Sequence, residues 1–248
     1  MSFLKTEAIV LKSNLIGETD KIVTLLTKRK GKLQAVAKGA RRVKSSMLAA
    51  TYPLSMGNYV LFEGQNYYYI DQWELIHSFV CFEGNLLNLS YATFFTDLVY
   101  KVLQNEQECL NIYNLLKYSL LILEKGKIPP EIIMLVYVLK FVSFMGYMPE
   151  LNKCSSCGNT EKLTYFSFLM GGVVCNKCKD KCSDAFYIKE NSLNTFRYLL
   201  KNGFNNLERV KISGFITEEL DKIISGYIKV HFEKAFETKT FLDKIKNM

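Results

Sequence analysis

Five short apolar runs, rich in β-branched and aromatic residues, occupy the first quarter of the chain. These runs lie at residues 8–11, 22–26, 33–37, 59–62 and 67–70. Turn-forming residues separate them, and the polar segment 63–66 between the last two runs is typical of a β-hairpin. Five strands in so short a stretch indicate a small barrel. A five-stranded OB barrel fits the strand count best, and an SH3-like barrel fits the pattern almost as well.

From Phe79 onward the apolar residues recur at helical intervals. One predicted helix carries its apolar residues on a single face, at Phe95, Leu98, Val99, Val102 and Leu103. A second helix is predicted near 109–123. A third opens at the proline pair 129–130, ends at 146 and is apolar on nearly every side, so we expect it at the centre of a helical bundle. Shorter helical patterns follow around 192–200, 220–228 and 241–242.

The composition is that of a folded protein. Of the 248 residues, 49% are hydrophobic and 23% are charged, which excludes general disorder. No signal-peptide core precedes the first charges, and the apolar segment 132–148 is broken by Lys140 and is too short for a membrane span. We therefore expect a cytoplasmic protein without membrane association, in a compartment where cysteines stay reduced.

Four of the seven cysteines form two Cys-x-x-Cys pairs, and this pattern predicts a metal site. The pairs are Cys154 with Cys157 and Cys175 with Cys178, and 17 residues separate them. Such pairs bring four thiolates to one tetrahedral centre, for which Zn²⁺ is the expected ion, since an iron–sulfur cluster would show a tighter cysteine run. Four thiolates leave no open position for a catalytic water, so we predict structural zinc. Cys182 is either a free surface thiol or a substitute for one ligand.

The positive charge is concentrated at the start of the chain. The net charge is +8, and residues 1–62 carry 11 basic and 3 acidic side chains, so the rest of the chain is neutral overall. No acidic residue lies between Lys21 and Phe62. Such a segment is either an ordinary solvated surface or, as the concentration of charge favours, a contact surface for a polyanion.

Eight basic residues are the candidates for nucleic-acid binding. They surround a predicted turn and continue into the loop beyond the next strand: Lys28, Arg29, Lys30, Lys32, Lys38, Arg41, Arg42 and Lys44. Loops beside one face of an OB barrel are where cations that follow a phosphate backbone are expected. The nearby aromatic residues either stack on bases or fill the barrel: Tyr52, Tyr59, Phe62, Tyr67, Tyr68, Tyr69 and Trp73.

No arrangement of residues in the sequence predicts catalysis. The two histidines are His77 and His231, and the second continues an apolar helix face, where a core histidine is expected. Nucleophile-elbow, phosphate-loop and zinc-protease motifs are absent from the sequence. We therefore predict a binding protein rather than an enzyme.

Several segments together resemble the RecO family of bacterial DNA repair proteins, which are recombination mediators. Near the start these segments are 6–12 (TEAIVLK), 17–20 (GETD) and 31–42 (GKLQAVAKGARR), and further on they are 146–151 (GYMPEL), 154–158 (CSSCG) and 171–178 (GGVVCNKC). Each segment is moderately specific, and their order and spacing are highly so. The resemblance spans nearly the whole chain.

The resemblance implies a non-enzymatic role in DNA repair. It implies binding of single- and double-stranded DNA, annealing of complementary strands and help in loading RecA onto strands coated by single-stranded DNA-binding protein (SSB). It also implies RecR and the C-terminal tail of SSB as partners, and association with the nucleoid. The family's zinc ligands correspond to the four paired cysteines, and its basic loop corresponds to Lys38, Arg41, Arg42 and Lys44. Segment 238–242 departs from the family pattern, so the resemblance does not place the pocket for the SSB tail.

Together these observations predict an α+β multidomain protein. Its parts are an OB-fold nucleic-acid-binding domain at 1–78, a C-terminal α-helical domain in two parts at 79–151 and 186–248 that pack together, and a four-cysteine zinc module inserted at 152–185. One alternative is a zinc-ribbon assembly protein that binds RNA or the ribosome, which a preference for structured RNA would indicate. Another is a nuclease or a thiol enzyme, which metal-dependent DNA cleavage or a reactive Cys182 would indicate.

Overall fold

The computed structural model describes residues 3–42, 44–45, 47–234 and 236–246. The chain divides into two compact units, which we name the barrel unit and the cysteine unit. The barrel unit comprises Met1–Glu124 and Phe236–Met248, and the cysteine unit comprises Lys125–Ala235. The four segment boundaries given above stay a prediction. Within the described ranges, no helix combines the length and the apolar character that crossing a membrane requires.

Five strands form a closed barrel, as the apolar runs predict. They are β1 (Phe3–Ile16), β2 (Asp20–Thr27), β3 (Gly31–Ala37), β4 (Ser55–Glu63) and β5 (Tyr68–Ser78). Their order around the barrel is β1-β2-β3-β5-β4, and β4 pairs back with β1. Strands β3 and β5 are parallel, whereas the other neighbours are antiparallel. The parallel pair is typical of the OB topology rather than of an SH3-like barrel, and the predicted α+β fold class is confirmed.

Alternate residues of each strand point into the barrel and make its core. The buried members include Ala8, Val10, Val23, Leu25, Leu33, Ala35, Leu61 and Ile70. Tyr59 and Tyr68 belong to the same core. The Tyr59 hydroxyl donates a hydrogen bond at 2.8 Å to the carbonyl of Ala50, the last residue of the single-turn helix α1 (Met47–Ala50). Tyr59 and Tyr68 therefore fill the barrel, and Trp73, a third candidate aromatic residue, packs against the same core.

Helix α2 (Leu86–Val102) packs on β1 and contacts the start of β3. Leu26 points away from the barrel core but is fully buried. The Lys32 ammonium reaches the C-terminal part of α2, where it donates to the Tyr100 carbonyl at 2.7 Å. The loop after the helix continues this contact, because the Glu106 N–H donates to the Lys32 carbonyl at 2.7 Å. The start of β3 is therefore covered by α2 and the loop that follows it.

Helix α3 (Leu110–Lys125) is tied to the first strand by a shielded carboxylate. The Glu7 carboxylate accepts hydrogen bonds from the Lys117 ammonium at 2.6 Å and from the Tyr113 hydroxyl at 2.7 Å. Burial raises the pKa of Glu7, but these hydrogen bonds and the Lys117 charge lower it by more, so its pKa lies below the usual value. The ionised form of Glu7 therefore stabilises the barrel unit.

Helix α7 (Glu237–Lys246) completes the barrel unit by packing on α2. The Thr238 hydroxyl donates to the Asp97 carboxylate at 2.7 Å. The Phe94 and Phe236 rings meet edge to face, with their centroids 6.4 Å apart. The barrel unit is thus assembled from two parts of the chain that flank the cysteine unit in sequence.

Three helices and a small sheet form the cysteine unit. They are α4 (Pro130–Phe144), α5 (Glu190–Asn202), α6 (Gly214–Phe232), β6 (Leu163–Ser167), β7 (Gly172–Cys175) and β8 (Phe186–Tyr187), and the sheet order is β7-β6-β8. Helix α4 is buried on every side, as its apolar sequence predicts, and α5 and α6 pack against it. Lys140, the charged residue within the apolar sequence of α4, donates a hydrogen bond to the Leu200 carbonyl at 2.7 Å.

Both histidines have polar partners. His231 hydrogen-bonds the Phe168 carbonyl at 3.0 Å, and its ring lies 4.2 Å from the Tyr227 ring, centroid to centroid. His77 lies 2.9 Å from the Glu124 carboxylate. His231 thus has the hydrogen-bond partner that was expected, but it is half-buried rather than part of the core.

We expect Glu7→Gln to destabilise the barrel unit by roughly 1.5–3 kcal/mol at neutral pH, because a charged hydrogen-bonded group is replaced by a neutral one. Since the pKa of Glu7 is lowered in the folded state, its contribution is complete above the ordinary glutamate pKa and is lost as the pH falls through the lowered value. Urea unfolding at pH 7 and near pH 3 measures this difference, which should shrink at the lower pH. The exposed Glu18 provides the control variant Glu18→Gln, and an equal effect of both substitutions would contradict the prediction.

Candidate metal centre and nucleic-acid face

Tight turns hold each pair of cysteines. In the first pair, Gly158 adopts a positive φ of 76° and its N–H donates to the Cys154 carbonyl at 2.8 Å. Glycine is favoured at this position because a Cβ would strain the left-handed backbone. In the second pair, Cys175 ends strand β7, and the Cys178 N–H donates to its carbonyl at 2.9 Å. The spacing of two residues within each pair is thus built into a turn.

Backbone pairing brings the two turns together. The Val173 N–H donates to the Glu150 carbonyl, and the Ser155 N–H donates to the Val173 carbonyl, both at 2.8 Å. Gly172 allows this close approach, since a Cβ there would lie 2.2 Å from the Glu150 carbonyl oxygen. The segment before the first pair therefore lies against the strand that leads into the second.

The four sulfurs of the paired cysteines lie within 4.8 Å of one another. The Cys157 and Cys175 sulfurs are 3.7 Å apart. A tetrahedral site with metal–sulfur bonds of about 2.3 Å requires sulfur–sulfur distances of about 3.8 Å, so this cluster can hold a metal ion. Cys154, Cys175 and Cys178 are buried and Cys157 is exposed. Cys182 lies outside the cluster of four.

Hydrogen bonds favour thiolates within the cluster. Burial raises the pKa of the Cys154 thiol. Hydrogen bonds from the backbone N–H groups of Cys175, Cys157 and Ser156 lower this pKa by more, so that it is about 6. The pKa of Cys175 is also lowered, since hydrogen bonds outweigh the effect of its burial. Thiolates are the form in which cysteines bind a metal ion, so the backbone prepares the site for a cation.

The structure separates the eight candidate basic residues into two groups. The turn group lies between β2 and β3 and at the start of β3: Lys28, Arg29, Lys30 and Lys32. The loop group follows the end of β3: Lys38, Arg41, Arg42 and Lys44. Because β3 has 7 residues, roughly 23 Å of strand separates the two groups.

Two members of the turn group are engaged within the barrel unit. Lys30 donates to the Tyr68 hydroxyl at 2.5 Å and pairs with Glu106 at 3.3 Å. Lys32 contacts α2 as described above. Lys28 and Arg29, in contrast, are exposed. These two are therefore the members of the turn group that are positioned to meet a ligand.

The loop group is held against the hairpin between β1 and β2. The Gly39 N–H donates to the Asp20 carboxylate, and the Arg41 guanidinium donates to the Gly17 carbonyl, both at 2.8 Å. The Gly39 hydrogen bond, a second one from Thr19 and the charges of Lys38 and Arg42 lower the pKa of Asp20. All four basic side chains of the loop group are exposed. The loop group therefore presents positive charge at one end of the barrel on an anchored backbone.

A cleft that the sequence reasoning missed lies on the outer face of β1, β4 and β5. Its volume is about 680 Å³, and its basic residues are Lys5, Lys28 and Arg29. Trp73, the single tryptophan of the chain, packs against the barrel core and also contributes to the lining of the cleft. Lys5 is isolated in the sequence, so no cluster of charge marks it as a binding residue. Alternation from the inward-facing Leu4 nevertheless places it on the outside of β1.

Two family models cover most of the chain. The model described as "Recombination protein O N terminal" matches residues 1–79, and the one described as "Recombination protein O C terminal" matches residues 83–240. Three similar proteins, each named "DNA repair protein RecO", come from Thermoanaerobacter sp. (strain X514), Caldanaerobacter subterraneus subsp. tengcongensis and Acetivibrio thermocellus. They are 50%, 47% and 36% identical to this chain, covering 100%, 100% and 99% of it and 100% of each relative.

We expect Cys154→Ser to remove bound metal and to destabilise the cysteine unit by several kcal/mol, because ligation energy in such sites is largely folding energy. Metal content per chain, measured by elemental analysis of reduced protein, and thermal unfolding with and without a chelator check this prediction. The matched control is Cys182→Ser, which should retain the metal of the parent protein. Equal metal loss in both variants, or a parent protein without metal, would contradict it.

Proposed function

The chain belongs to the RecO family of recombination and DNA repair proteins, and on this premise we propose that it acts as a non-enzymatic, DNA-binding recombination mediator. It binds single- and double-stranded DNA, anneals complementary strands and assists the loading of RecA on SSB-coated DNA. RecR and the C-terminal tail of SSB are its protein partners in this proposal, and it acts on chromosomal DNA in the cytoplasm.

The anchored loop group is the observation that carries the proposal. Two DNA strands repel each other, and a cationic surface lowers the electrostatic cost of bringing them together. Lys38, Arg41, Arg42 and Lys44 are all exposed, and their loop is hydrogen-bonded to the neighbouring hairpin. Contacts of this kind go to phosphates and read little sequence, which suits a protein that must anneal any pair of complementary strands.

The four clustered cysteines support a structural role for zinc. Their thiolates would hold Zn²⁺, which joins the two turns around β7 and stabilises the cysteine unit. All four ligand positions would be filled by protein sulfurs, so the ion serves the fold rather than a reaction. The DNA contacts in this proposal lie in the barrel unit.

We expect Arg41→Ala combined with Arg42→Ala to weaken DNA binding. Loss of two phosphate contacts should reduce the slope of log affinity against log salt by up to about 1.4 on single strands. Fluorescence anisotropy with labelled single strands and duplexes, over a series of salt concentrations, measures both quantities. Unfolding curves should match those of the parent protein.

The matched control is Lys125→Ala combined with Lys127→Ala, which removes the same charge from exposed positions in the cysteine unit. This control should retain the parent affinity and salt slope. If the arginine variant also retains them, the loop group is ordinary surface. A preference of the parent protein for structured RNA over single-stranded DNA would favour an RNA-binding assembly protein instead.

Annealing of SSB-coated complementary strands tests the mediator role directly. We expect the protein to accelerate annealing. If about five phosphates are neutralised, a fourfold rise in salt concentration should lower its affinity for single strands about 100-fold. RecR should change the rate further. The annealing rate is measured by fluorescence of labelled strands. A rate that stays unchanged at every protein concentration would overturn the proposed function.

A further inference from the structure

A row of three aromatic side chains crosses the outer face of β1, β4 and β5. Phe3 lies opposite Phe62 in the β1–β4 pair, and Phe62 lies opposite Tyr69 in the β4–β5 pair. Their neighbours Leu4, Leu61, Tyr68 and Ile70 face the barrel core, so alternation points the three rings outward. We name Phe3, Phe62 and Tyr69 the aromatic row. It lies on the opposite side of these strands from the aromatic residues that fill the barrel.

The rings of the aromatic row are accessible, and two of them are held in place. Phe3 is 58% exposed, and Phe62 and Tyr69 are half-buried. The Phe62 and Tyr69 rings stack with centroids 5.0 Å apart and an angle of 20° between their planes. Gly64 makes room for the Tyr69 ring, since a Cβ there would lie 2.6 Å from it. A fixed, exposed ring offers a stacking surface at little entropic cost.

Positive charges flank the aromatic row. The Lys38 ammonium of the loop group lies 5.2 Å from the centre of the Tyr69 ring. On the adjacent outward positions, Lys5, Val60 and Gln72 line the cleft described above. Lys28 and Arg29 line the same cleft. The aromatic row therefore lies between two sets of positive charges. At one end is the cleft with Lys28 and Arg29, and at the other is Lys38, the first residue of the loop group.

The acidic residues of this face leave an excess of positive charge. Glu7 lines the cleft, but its carboxylate is neutralised by Lys117 at 2.6 Å. Glu74 also lines the cleft and accepts a hydrogen bond from Asn58 at 3.4 Å. Asp71, the extra residue at the irregularity in β5, is also exposed. Against Glu74 and Asp71 stand the positive charges of Lys5, Lys28, Arg29 and Lys38. The face thus combines cations that suit phosphates with rings that suit bases.

We propose that the aromatic row and the cleft form a binding surface for one unpaired DNA strand, an inference that rests on the proposed function. The bases stack on Phe3, Phe62 and Tyr69, and the phosphates lie against Lys5, Lys28, Arg29 and Lys38. Aromatic residues on an open sheet face are a common way of holding unpaired bases. Bases in a duplex are already stacked on one another, so this surface discriminates single strands from duplexes, whereas the loop group contacts the phosphates of both.

The test is the double variant Phe3→Leu with Tyr69→Leu, which removes two rings and retains apolar volume and charge. We expect its affinity for a short oligothymidylate to fall at least fivefold, about the effect of losing the stacking of one base. Duplex affinity should stay within about twofold, and the salt slope should not change, because no cation is lost. The matched control is Tyr118→Leu, which removes a 62% exposed ring from α3 in the same unit.

Three outcomes of this titration would overturn the inference. They are unchanged oligothymidylate affinity, an equal loss for single strands and duplexes, and a larger loss for oligouridylate than for oligothymidylate. Each can occur while Arg41→Ala with Arg42→Ala still weakens DNA binding, so the proposed function would survive them. A parent protein that binds neither single strands nor duplexes would instead overturn the proposed function.

The fluorescence of Trp73 reports on the location independently. Because Trp73 is the single tryptophan and lines the cleft, saturating oligothymidylate should change its emission in the parent protein. The change should persist at saturation in the Arg41→Ala, Arg42→Ala variant, whose loop lies elsewhere.

Discussion

The contact between helix α2 and the barrel decides which surface is left for a ligand. OB folds commonly bind oligonucleotides on the face of their second and third strands. Here Lys32 is bound to the Tyr100 carbonyl, and the backbone of Gly31 approaches that of Gln107 so closely that a Cβ at Gly31 would lie 1.8 Å from the Gln107 oxygen. The chain itself therefore occupies the start of the third strand on this face. The surface formed by β1, β4 and β5 keeps exposed rings and cations.

A second constraint is the mutual repulsion of the clustered thiolates. Four sulfurs within 4.8 Å cannot all carry charge without a cation between them. Backbone N–H groups lower the pKa of Cys154 and Cys175. At Cys157 the hydrogen bond from the Asn159 N–H lowers the pKa, but hydrogen bonds to the Cys154 and Cys178 sulfurs outweigh it and raise the pKa to about 11. The protein thus prepares two thiolates by itself, and a bound cation would supply the charge that makes four compatible.

Local patterns predicted most of the elements and the cysteine cluster, because strand alternation, helical periodicity and Cys-x-x-Cys turns are properties of neighbouring residues. Contacts between distant segments cannot be predicted from such local patterns. Lys30 and Lys32 belong to the most basic stretch of the sequence, yet Tyr68, Glu106 and the end of α2 engage them. The alignment of Phe3 with Phe62 and Tyr69 depends on strand register, including an irregularity between Val60 and Leu61 that no local pattern shows.

The packing of α7 on α2 has a consequence for synthesis of the chain. The barrel unit lacks this helix until the ribosome has translated the intervening segment Lys125–Ala235. At about 5–20 residues per second, that takes roughly 5–20 seconds. Throughout this interval the Phe94 ring and the Asp97 carboxylate of α2 await their partners, Phe236 and Thr238. The barrel unit of a nascent chain therefore exposes this apolar surface of α2 until α7 has been translated and packs on it.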